Sequence, residues 1–291
     1  MKTTRYIFAI LPLVLLLCMS SCESSNEQPA QATPRDLYTD TARAPTAMPT
    51  APSGPDTERG HPLQVPILAY HQIREWRATD TKNDKVYIIS PEKFRAEIKM
   101  LHDSGFHPIL PDQLLAYLQH GAPLPSRPVM ISFDDATGPQ YSIGMTELNK
   151  YGYKGVFFIM TVVLGHPDYM TRDEVKDISA QGHQVACHTW DHHPVTHYEE
   201  KDWVIQVQKP VAELQEITGK PVTYFAYPYG EWNANAIAHL KKYGITAAFQ
   251  LAEKQDKQEP LYTIRRIIAD GNGDDIELLK EMKRDFKIVE R

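Results

Sequence analysis

The sequence predicts an α/β fold, specifically a distorted (β/α) barrel of about seven parallel strands. From Val65 onward, short apolar runs alternate with amphipathic stretches of helical length. This order is typical of a mainly parallel sheet that is covered by helices. In addition, clusters of ionisable residues directly follow several of the apolar runs. These clusters would lie at the C-terminal ends of the strands, where such a barrel carries its active site.

Each predicted strand is a short apolar run bounded by turn-forming residues. Such runs suit strands that are buried on both faces. In chain order, the predicted strands are Val65–Tyr70, Val129–Phe133, Gly155–Met160, Gln184–Cys187, Thr223–Tyr227, Ile245–Phe249 and Tyr262–Ile268.

The predicted helices lie between these strands and have recognisable start signals. Ser90-Pro91 combines a capping hydroxyl with a proline of the first turn, and Thr171 with Glu174 forms a capping box. Pro210 predicts a kink or break in the helix that contains it. In chain order, the helices are the segment from Ser90 to Gly105, Pro111–His120, Gln140–Tyr151, the segment that Thr171 opens, Tyr198–Thr218, Asn233–Tyr243 and Asp274–Phe286.

Composition limits the class of protein. The chain has 291 residues, a formal net charge of −6 and 42% hydrophobic residues, which suits one large domain with a sizeable core. The mild acidity and the lack of a basic stripe exclude nucleic acid as a partner. Three cysteines, two of them near the N-terminus, exclude a disulfide framework. We divide the chain into residues 1–21, 22–62 and a folded domain of residues 63–291.

Residues 1–21 predict export, and Cys22 predicts a lipid anchor. Two basic residues precede the apolar run Ile7–Cys18, which is too short to span a bilayer and suits a signal-peptide core. Met19-Ser20-Ser21-Cys22 resembles a bacterial lipoprotein box, so Cys22 would carry the lipid and hold the protein on a bacterial membrane. The alternative is ordinary signal cleavage that leaves Cys22 as a free thiol. Residues 22–62 are rich in Pro, Thr, Ala and Ser and predict a flexible tether.

Two adjacent carboxylates, Asp134 and Asp135, follow the predicted strand Val129–Phe133. Such a pair is unfavourable unless a cation or a proton compensates the charge. A metal ion would do so if one carboxylate bound it while the other stayed free as a base. The alternative is a solvated turn, where aspartate is common.

Two histidines, His188 and His192, follow the predicted strand Gln184–Cys187. On a helical turn, this spacing puts both rings on one face, where their nitrogens can bind one ion at about 2.0–2.1 Å. With Asp135 they form a two-His, one-carboxylate set that leaves coordination positions open. Zinc is the expected ion, and nickel, cobalt or iron would also fit. The alternative is a polar loop that is rich in histidine.

A third cluster, Ala226-Tyr227-Pro228-Tyr229-Gly230, ends the predicted strand Thr223–Tyr227. Its proline and glycine shape a tight turn that can direct a backbone N–H into a site. Such turns are common, so this cluster alone is weak evidence for a functional site and supports one only together with the other two clusters.

At these clusters the chain resembles the polysaccharide deacetylases of carbohydrate esterase family four, the NodB-homology domain. The first family motif, usually Thr-Phe-Asp-Asp, is present as Ser132-Phe133-Asp134-Asp135. The second, His-Ser/Thr-x-x-His, is present as His188 to His192. The third, usually Arg-Pro-Pro-Tyr-Gly, is present as Ala226 to Gly230 without its arginine. The resemblance covers residues 66–268.

The resemblance implies an enzyme that hydrolyses N-acetyl groups on a polymer containing N-acetylglucosamine and releases acetate. It implies that Asp134 is the general base. Asp135, His188 and His192 would bind the metal, and the backbone N–H of Tyr229 would help to hold the oxyanion. The carbohydrate polymer would be poly-N-acetylglucosamine, peptidoglycan or a chitin-like chain.

Two further family motifs are missing. The fourth is not visible around residues 247–251, and the fifth, which supplies a general-acid histidine, is absent from Tyr262–Ile268. These departures, together with Ala69-Tyr70-His71, resemble the branch of biofilm poly-N-acetylglucosamine deacetylases. His71 could therefore replace the missing acid, or it could be a structural residue at the end of its strand. Arg266 could replace the arginine that braces the catalytic aspartate.

Two other functions remain open on the sequence alone. A non-catalytic glycan-binding module is favoured by the missing arginine and acid. Asp134 argues against it, because metal binding alone does not require the second carboxylate. An esterase that removes O-acetyl groups could use the same residues.

Overall fold

The computed structural model describes residues 64–251 and 254–286. The predicted signal peptide, the tether and Cys22 lie outside the described residues. The strands are β1 Ile67–Tyr70, β2 Gln72–Ile73, β3 Ile88–Ile89, β4 His107–Pro108, β5 Pro128–Asp134, β6 Val156–Ile159, β7 Gln184–Cys187, β8 Tyr224–Ala226, β9 Ala247–Phe249 and β10 Ile267–Ile268. The α-helices are α1 Pro91–Asp103, α2 Pro111–His120, α3 Thr146–Lys150, α4 Arg172–Ala180, α5 Lys209–Thr218, α6 Ala234–Lys242 and α7 Asp275–Phe286.

Seven parallel strands form the main sheet in the order β10-β1-β5-β6-β7-β8-β9, and β4 pairs alongside β5. The last ladder pair between β1 and β5 is Tyr70 with Phe133. Beyond β9, an isolated parallel bridge joins Phe249 to Ile264, shortly before β10 begins. The sheet therefore curls into a half-barrel, and the predicted distorted barrel of about seven parallel strands is confirmed.

Side chains of the strands alternate between two buried layers, as the two-residue period of a strand requires. Met130 packs with Phe158 in the layer that lines the inside of the curl. Ile131 and Phe133 belong to the larger layer between the sheet and the helices. Asp134 lies on the same face of β5 as Met130, because the two residues are an even number of positions apart. Its carboxylate therefore points toward the inner side of the curled sheet.

Two predicted helices contain a wider, π-helical turn. Residues Gln140–Met145 form such a turn directly before α3, and residues Val204–Gln208 form one directly before α5. Pro210 is the second residue of α5, directly after this wider turn, so the helix departs from regular α-helical geometry where the proline predicts a kink. The segment Tyr198–Thr218 is mostly helical, as predicted, but its helical residues begin at Asp202, whose carboxylate accepts a hydrogen bond from the Glu199 N–H at the start of the helix.

The predicted strand Tyr262–Ile268 is mostly loop, and only its last two residues form β10. The Thr263 hydroxyl donates to the Glu259 carbonyl at 3.0 Å and accepts from the Asp256 N–H at 2.9 Å. These local hydrogen bonds compete with the ladder and hold the chain in a turn. Because β10 is so short, Arg266 lies directly before this strand and not within it.

Within the part of the chain that the structure describes, no helix combines the length and the apolar character needed to cross a membrane.

Candidate active site

Asp134 and Asp135 lie where β5 ends. Adjacent side chains on a regular strand point to opposite faces. Here the backbone turns, with positive φ at Asp135 (78°) and Ala136 (62°), a conformation that is uncommon outside glycine. As a result, both carboxylates face His188, whose Nε2 lies 4.0 Å from Asp134 Oδ2 and 3.5 Å from Asp135 Oδ1.

Arg266 forms a bidentate ion pair with Asp134. Its Nη1 donates to Oδ1 at 2.7 Å and its Nη2 donates to Oδ2 at 2.8 Å. The guanidinium also donates to Ser132 Oγ at 3.1 Å and to the Gln250 carbonyl at 3.2 Å, and it lies over the ring of Phe158. This planar fork fixes the carboxylate in one orientation.

The buried ion pair keeps Asp134 ionised. Burial alone would raise the pKa of Asp134, but the charges of Arg266 and His188 outweigh burial and hold that pKa well below its usual range. Asp134 is therefore a carboxylate that can accept a hydrogen bond or a proton at neutral pH.

Asp135, His188 and His192 form a possible metal site, because one ligand atom of each lies within 4.8 Å of the others. Asp135 Oδ1 is 3.5 Å from His188 Nε2 and 3.6 Å from His192 Nε2. Asp135 Oδ1 and His188 Nε2 are also buried without a hydrogen-bond partner. Such atoms are unfavourable unless something accepts their lone pairs. A cation fits this donor set.

Both histidines can present a lone pair to an ion. His188 Nδ1 lies 2.8 Å from the Ala226 carbonyl, which can only accept, so Nδ1 carries the hydrogen and Nε2 is free. Burial and the neighbouring His188 lower the pKa of His192 to about 4, so His192 is neutral at pH 7. Burial would lower the pKa of His188, but the carboxylates of Asp134 and Asp135 raise it overall. A site that attracts a proton in this way also attracts a cation.

His188 and His192 do not lie on a helical turn, so that part of the prediction is wrong. The segment is an irregular loop with positive φ at Thr189 (68°) and His192 (66°). The Thr189 hydroxyl accepts a hydrogen bond from the His192 N–H at 3.0 Å, which closes a tight turn. The loop brings the centroids of the two histidine rings to 4.8 Å from each other. The two rings therefore converge because of the turn and not because of helical periodicity.

Tyr229 lies in the turn after β8, with φ of 59°. Its side chain is 59% exposed, and its ring meets the His192 ring edge-on at 4.5 Å. Tyr229 is therefore at the rim of the site, beside one of the possible metal ligands.

His71 directly follows β1. Its Nε2 lies 3.8 Å from Asp134 Oδ2, and its ring contacts that of Tyr87 at 5.1 Å. Burial lowers the pKa of His71, although the nearby carboxylates oppose this effect. The structure thus gathers every predicted site residue of its described part around the C-terminal end of β5: His71, Asp134, Asp135, His188, His192, Tyr229 and Arg266.

A sequence profile of the polysaccharide deacetylase family matches residues 121–248. The chain carries a polysaccharide deacetylase domain. The matched stretch contains the acidic pair, both histidines of the possible metal site and Tyr229. His71 and Arg266 lie on either side of it, directly after the first strand and directly before the last strand of the barrel.

Known proteins resemble the deacetylase domain in sequence and in fold. The poly-beta-1,6-N-acetyl-D-glucosamine N-deacetylase of Staphylococcus aureus is 28% identical over 211 residues, which cover 64% of this chain and 72% of that protein. The Streptococcus pyogenes deacetylase PplD in complex with acetate has a TM-score of 0.70 at 21% identity, covering 76% of this chain and 99% of that one. IcaB from Ammonifex degensii has a TM-score of 0.65 at 22% identity, covering 76% and 97%. The two structures share the fold of the deacetylase domain.

Sequence reasoning missed one buried contact of the acidic pair. Gln140 is fully buried, and its side-chain amide donates to the main-chain carbonyls of His71, at 2.6 Å, and Asp134. A signal was present, since Gln140 lies on the same helical stripe as the buried Gly144 and Leu148. A glutamine on an apolar stripe needs a hydrogen-bond partner.

Proposed function

We propose that the deacetylase domain is a metal-dependent N-deacetylase of a polysaccharide that contains N-acetylglucosamine. Poly-N-acetylglucosamine is the polymer we favour, because a relative from Staphylococcus aureus is named as its N-deacetylase. Peptidoglycan and chitin-like polymers are the alternatives. The products are acetate and a free amino sugar.

One observation carries this proposal. An ionised carboxylate, Asp134, is held by Arg266 within 4.0 Å of a histidine of the possible metal site, and it is not needed as a ligand there. A site that only bound a cation would gain nothing from this second, costly buried charge. A hydrolase needs it as a base.

The side chains then have distinct tasks. A divalent ion held by Asp135, His188 and His192 would supply Lewis acidity toward the acetyl carbonyl and toward water. Asp134 takes the proton of the attacking water as the new C–O bond forms at the acetyl carbon. The backbone N–H of Tyr229 donates to the oxyanion of the tetrahedral intermediate, a contribution of about 3–4 kcal/mol in comparable sites.

We assign the second proton transfer to His71. Burial lowers the pKa of this ring, so it starts neutral and must gain a proton before it can act as an acid. Asp134 Oδ2, at 3.8 Å, is the carboxylate oxygen beside it. Because Arg266 keeps Asp134 strongly acidic, Asp134 passes the proton on readily. His71 then protonates the leaving amine as the C–N bond breaks.

Zinc is the ion we propose for this set of two imidazoles and one carboxylate, with nickel, cobalt and iron as alternatives. We also propose that the protein is exported and held on a bacterial membrane through Cys22, so that the deacetylase domain meets its polymer outside the cell. The Pro-rich segment 22–62 would serve as the tether.

The non-catalytic glycan-binding module loses its main support. That alternative rested on the missing motif arginine and the missing acid histidine. Arg266 makes a bidentate contact with Asp134, and His71 lies 3.8 Å from the same carboxylate. The O-acetyl esterase differs only in the atom that leaves, so substrate testing separates the two.

The decisive experiment measures acetate release by the purified protein. The substrates are poly-N-acetylglucosamine, peptidoglycan, chitin oligomers and an O-acetylated polymer, each with and without a chelator. We expect release from an N-acetylated polymer that the chelator abolishes and added zinc restores. Release from the O-acetylated polymer alone would establish the esterase, and binding without any release would establish the glycan-binding module.

A further inference from the structure

The ladder between β1 and β5 stops one pair before the site. Its last pair is Tyr70 with Phe133, so the next two residues, His71 and Asp134, stand opposite each other without a regular ladder contact. Gln140 donates one hydrogen bond to the main-chain carbonyl of each. The Gln140 side chain therefore bridges the two strand ends beyond the last ladder pair, at His71 and Asp134, the pair to which we assign proton transfer. We call this bridge the rung.

The chemistry of the rung requires an amide nitrogen. Both partners are carbonyl oxygens, which only accept, so the group that faces them must donate twice. The NH₂ of glutamine does this with its two hydrogens, and its Oε1 points away from them, buried and without a hydrogen-bond partner. A carboxylate or an apolar side chain of similar size cannot make the same contact.

The local fold brings Gln140 to this position. Positive φ at Asp135 and Ala136 turns the chain back toward the sheet, and the π-helical turn then begins at Gln140 itself. One turn later is Gly144, where a Cβ would lie 3.1 Å from the Phe133 ring. The absence of a side chain at Gly144 lets this helix approach β5 closely enough for Gln140 to reach the strand ends.

We propose that Gln140 is a positioning residue for deacetylation, acting through Asp134 and His71. This inference rests on the proposed function. The Asp134 carbonyl belongs to the peptide group that leads into Asp135, so the rung fixes the turn from which both carboxylates project. Without the rung, the ends of β1 and β5 are free to move relative to each other, and the 3.8 Å approach of His71 to Asp134 is lost.

The test compares Gln140→Met with wild type at saturating zinc. Methionine has a similar length and no donor. Misplacement of reacting groups by about 1 Å costs on the order of 10²-fold in rate, so we expect kcat to fall by up to about 10²-fold with KM little changed. The matched control is Tyr153→Phe, which removes another buried side-chain contact to a main-chain carbonyl, that of Phe106 at 2.6 Å, before β6 and away from the site. We expect it to lose stability but not kcat.

A double-mutant cycle separates positioning from general damage to the fold. If Gln140 acts through Asp134, then Gln140→Met should cost little further activity in an Asp134→Asn background. Should Gln140→Met not fold, Gln140→Asn replaces it, because the shorter amide cannot reach both carbonyls. Unchanged kcat, or an equal loss in both backgrounds, overturns the proposal. A wild-type protein that releases no acetate instead refutes the proposed function, and the two failures are therefore distinguishable.

Discussion

Asp134→Asn and Asp135→Asn should have different effects, although the two residues are adjacent and chemically alike. Asp134→Asn removes the proton acceptor and leaves Asp135, His188 and His192 unchanged. We expect metal content close to that of wild type and a turnover that is lower by about 10²–10⁴-fold, the range for losing a positioned general base. Asp135→Asn removes a ligand, so metal and turnover should fall together.

The structure adds a cost in stability to the first variant. Asparagine turns an NH₂ toward the Arg266 fork, which now holds Asp134 at 2.7 and 2.8 Å, and it leaves a buried guanidinium without a counter-charge. Breaking a buried pair in this way costs about 3–5 kcal/mol. Because folded domains typically have about 5–15 kcal/mol of stability, the variant should stay mostly folded but melt at a lower temperature.

The assay measures three quantities on the same preparations: bound metal, acetate release and thermal unfolding. Turnover is recorded well below the unfolding transition of each variant, so that a loss of folded protein is not counted as a loss of catalysis. Full activity of Asp134→Asn, or an equal loss of metal in both variants, would refute the division into base and ligand.

Three further predictions follow from the site and the N-terminal sequence. Chelation should abolish acetate release and zinc should restore it, and alanine at Asp135, His188 or His192 should remove most of the bound metal measured by atomic absorption; full activity of a metal-free preparation would contradict this. Arg266→Lys should lower turnover at least about tenfold with little loss of metal, because a single ammonium cannot form the bidentate contact; wild-type kinetics would show that the fork is dispensable. Cys22→Ser should move the protein from the membrane fraction to the soluble fraction on immunoblots, and unchanged fractionation would exclude the lipid anchor.

The sequence predicted the sheet well because its strands are short, apolar runs with clear boundaries. Gln184–Cys187 is a strand with the predicted bounds, and Pro111–His120 is a helix with the predicted bounds. Tyr262–Ile268 failed because side-chain hydrogen bonds of Thr263, which depend on partners in the preceding loop, overrode its β-propensity. Local sequence patterns thus predicted the helices and strands correctly except where a polar side chain formed hydrogen bonds that compete with those of the backbone.

The site was predictable residue by residue but not in its geometry. Motif spacing predicted Asp135, His188 and His192 as a possible metal site, and the structure brings them together. The convergence of the two imidazoles, however, depends on positive φ at Thr189 and His192, which no sequence periodicity indicates. Gln140 was missed for a related reason. Its position on an apolar stripe indicates that it needs a hydrogen-bond partner, but its partners are main-chain carbonyls, which residue types do not identify.

Arg266 explains why two adjacent aspartates can take different roles. Its guanidinium donates one hydrogen bond to each oxygen of Asp134. Each oxygen keeps one lone pair that can accept a proton, while the permanent positive charge of Arg266 makes Asp134 less attractive to a cation. Asp135 contacts only the two histidine rings among the ion pairs of the described residues, so its negative charge has no permanent counter-charge there and remains open to a cation. Two carboxylates of the same residue type therefore differ because only one of them contacts Arg266, which lies directly before the last strand and is brought to the end of β5 by the curl of the sheet.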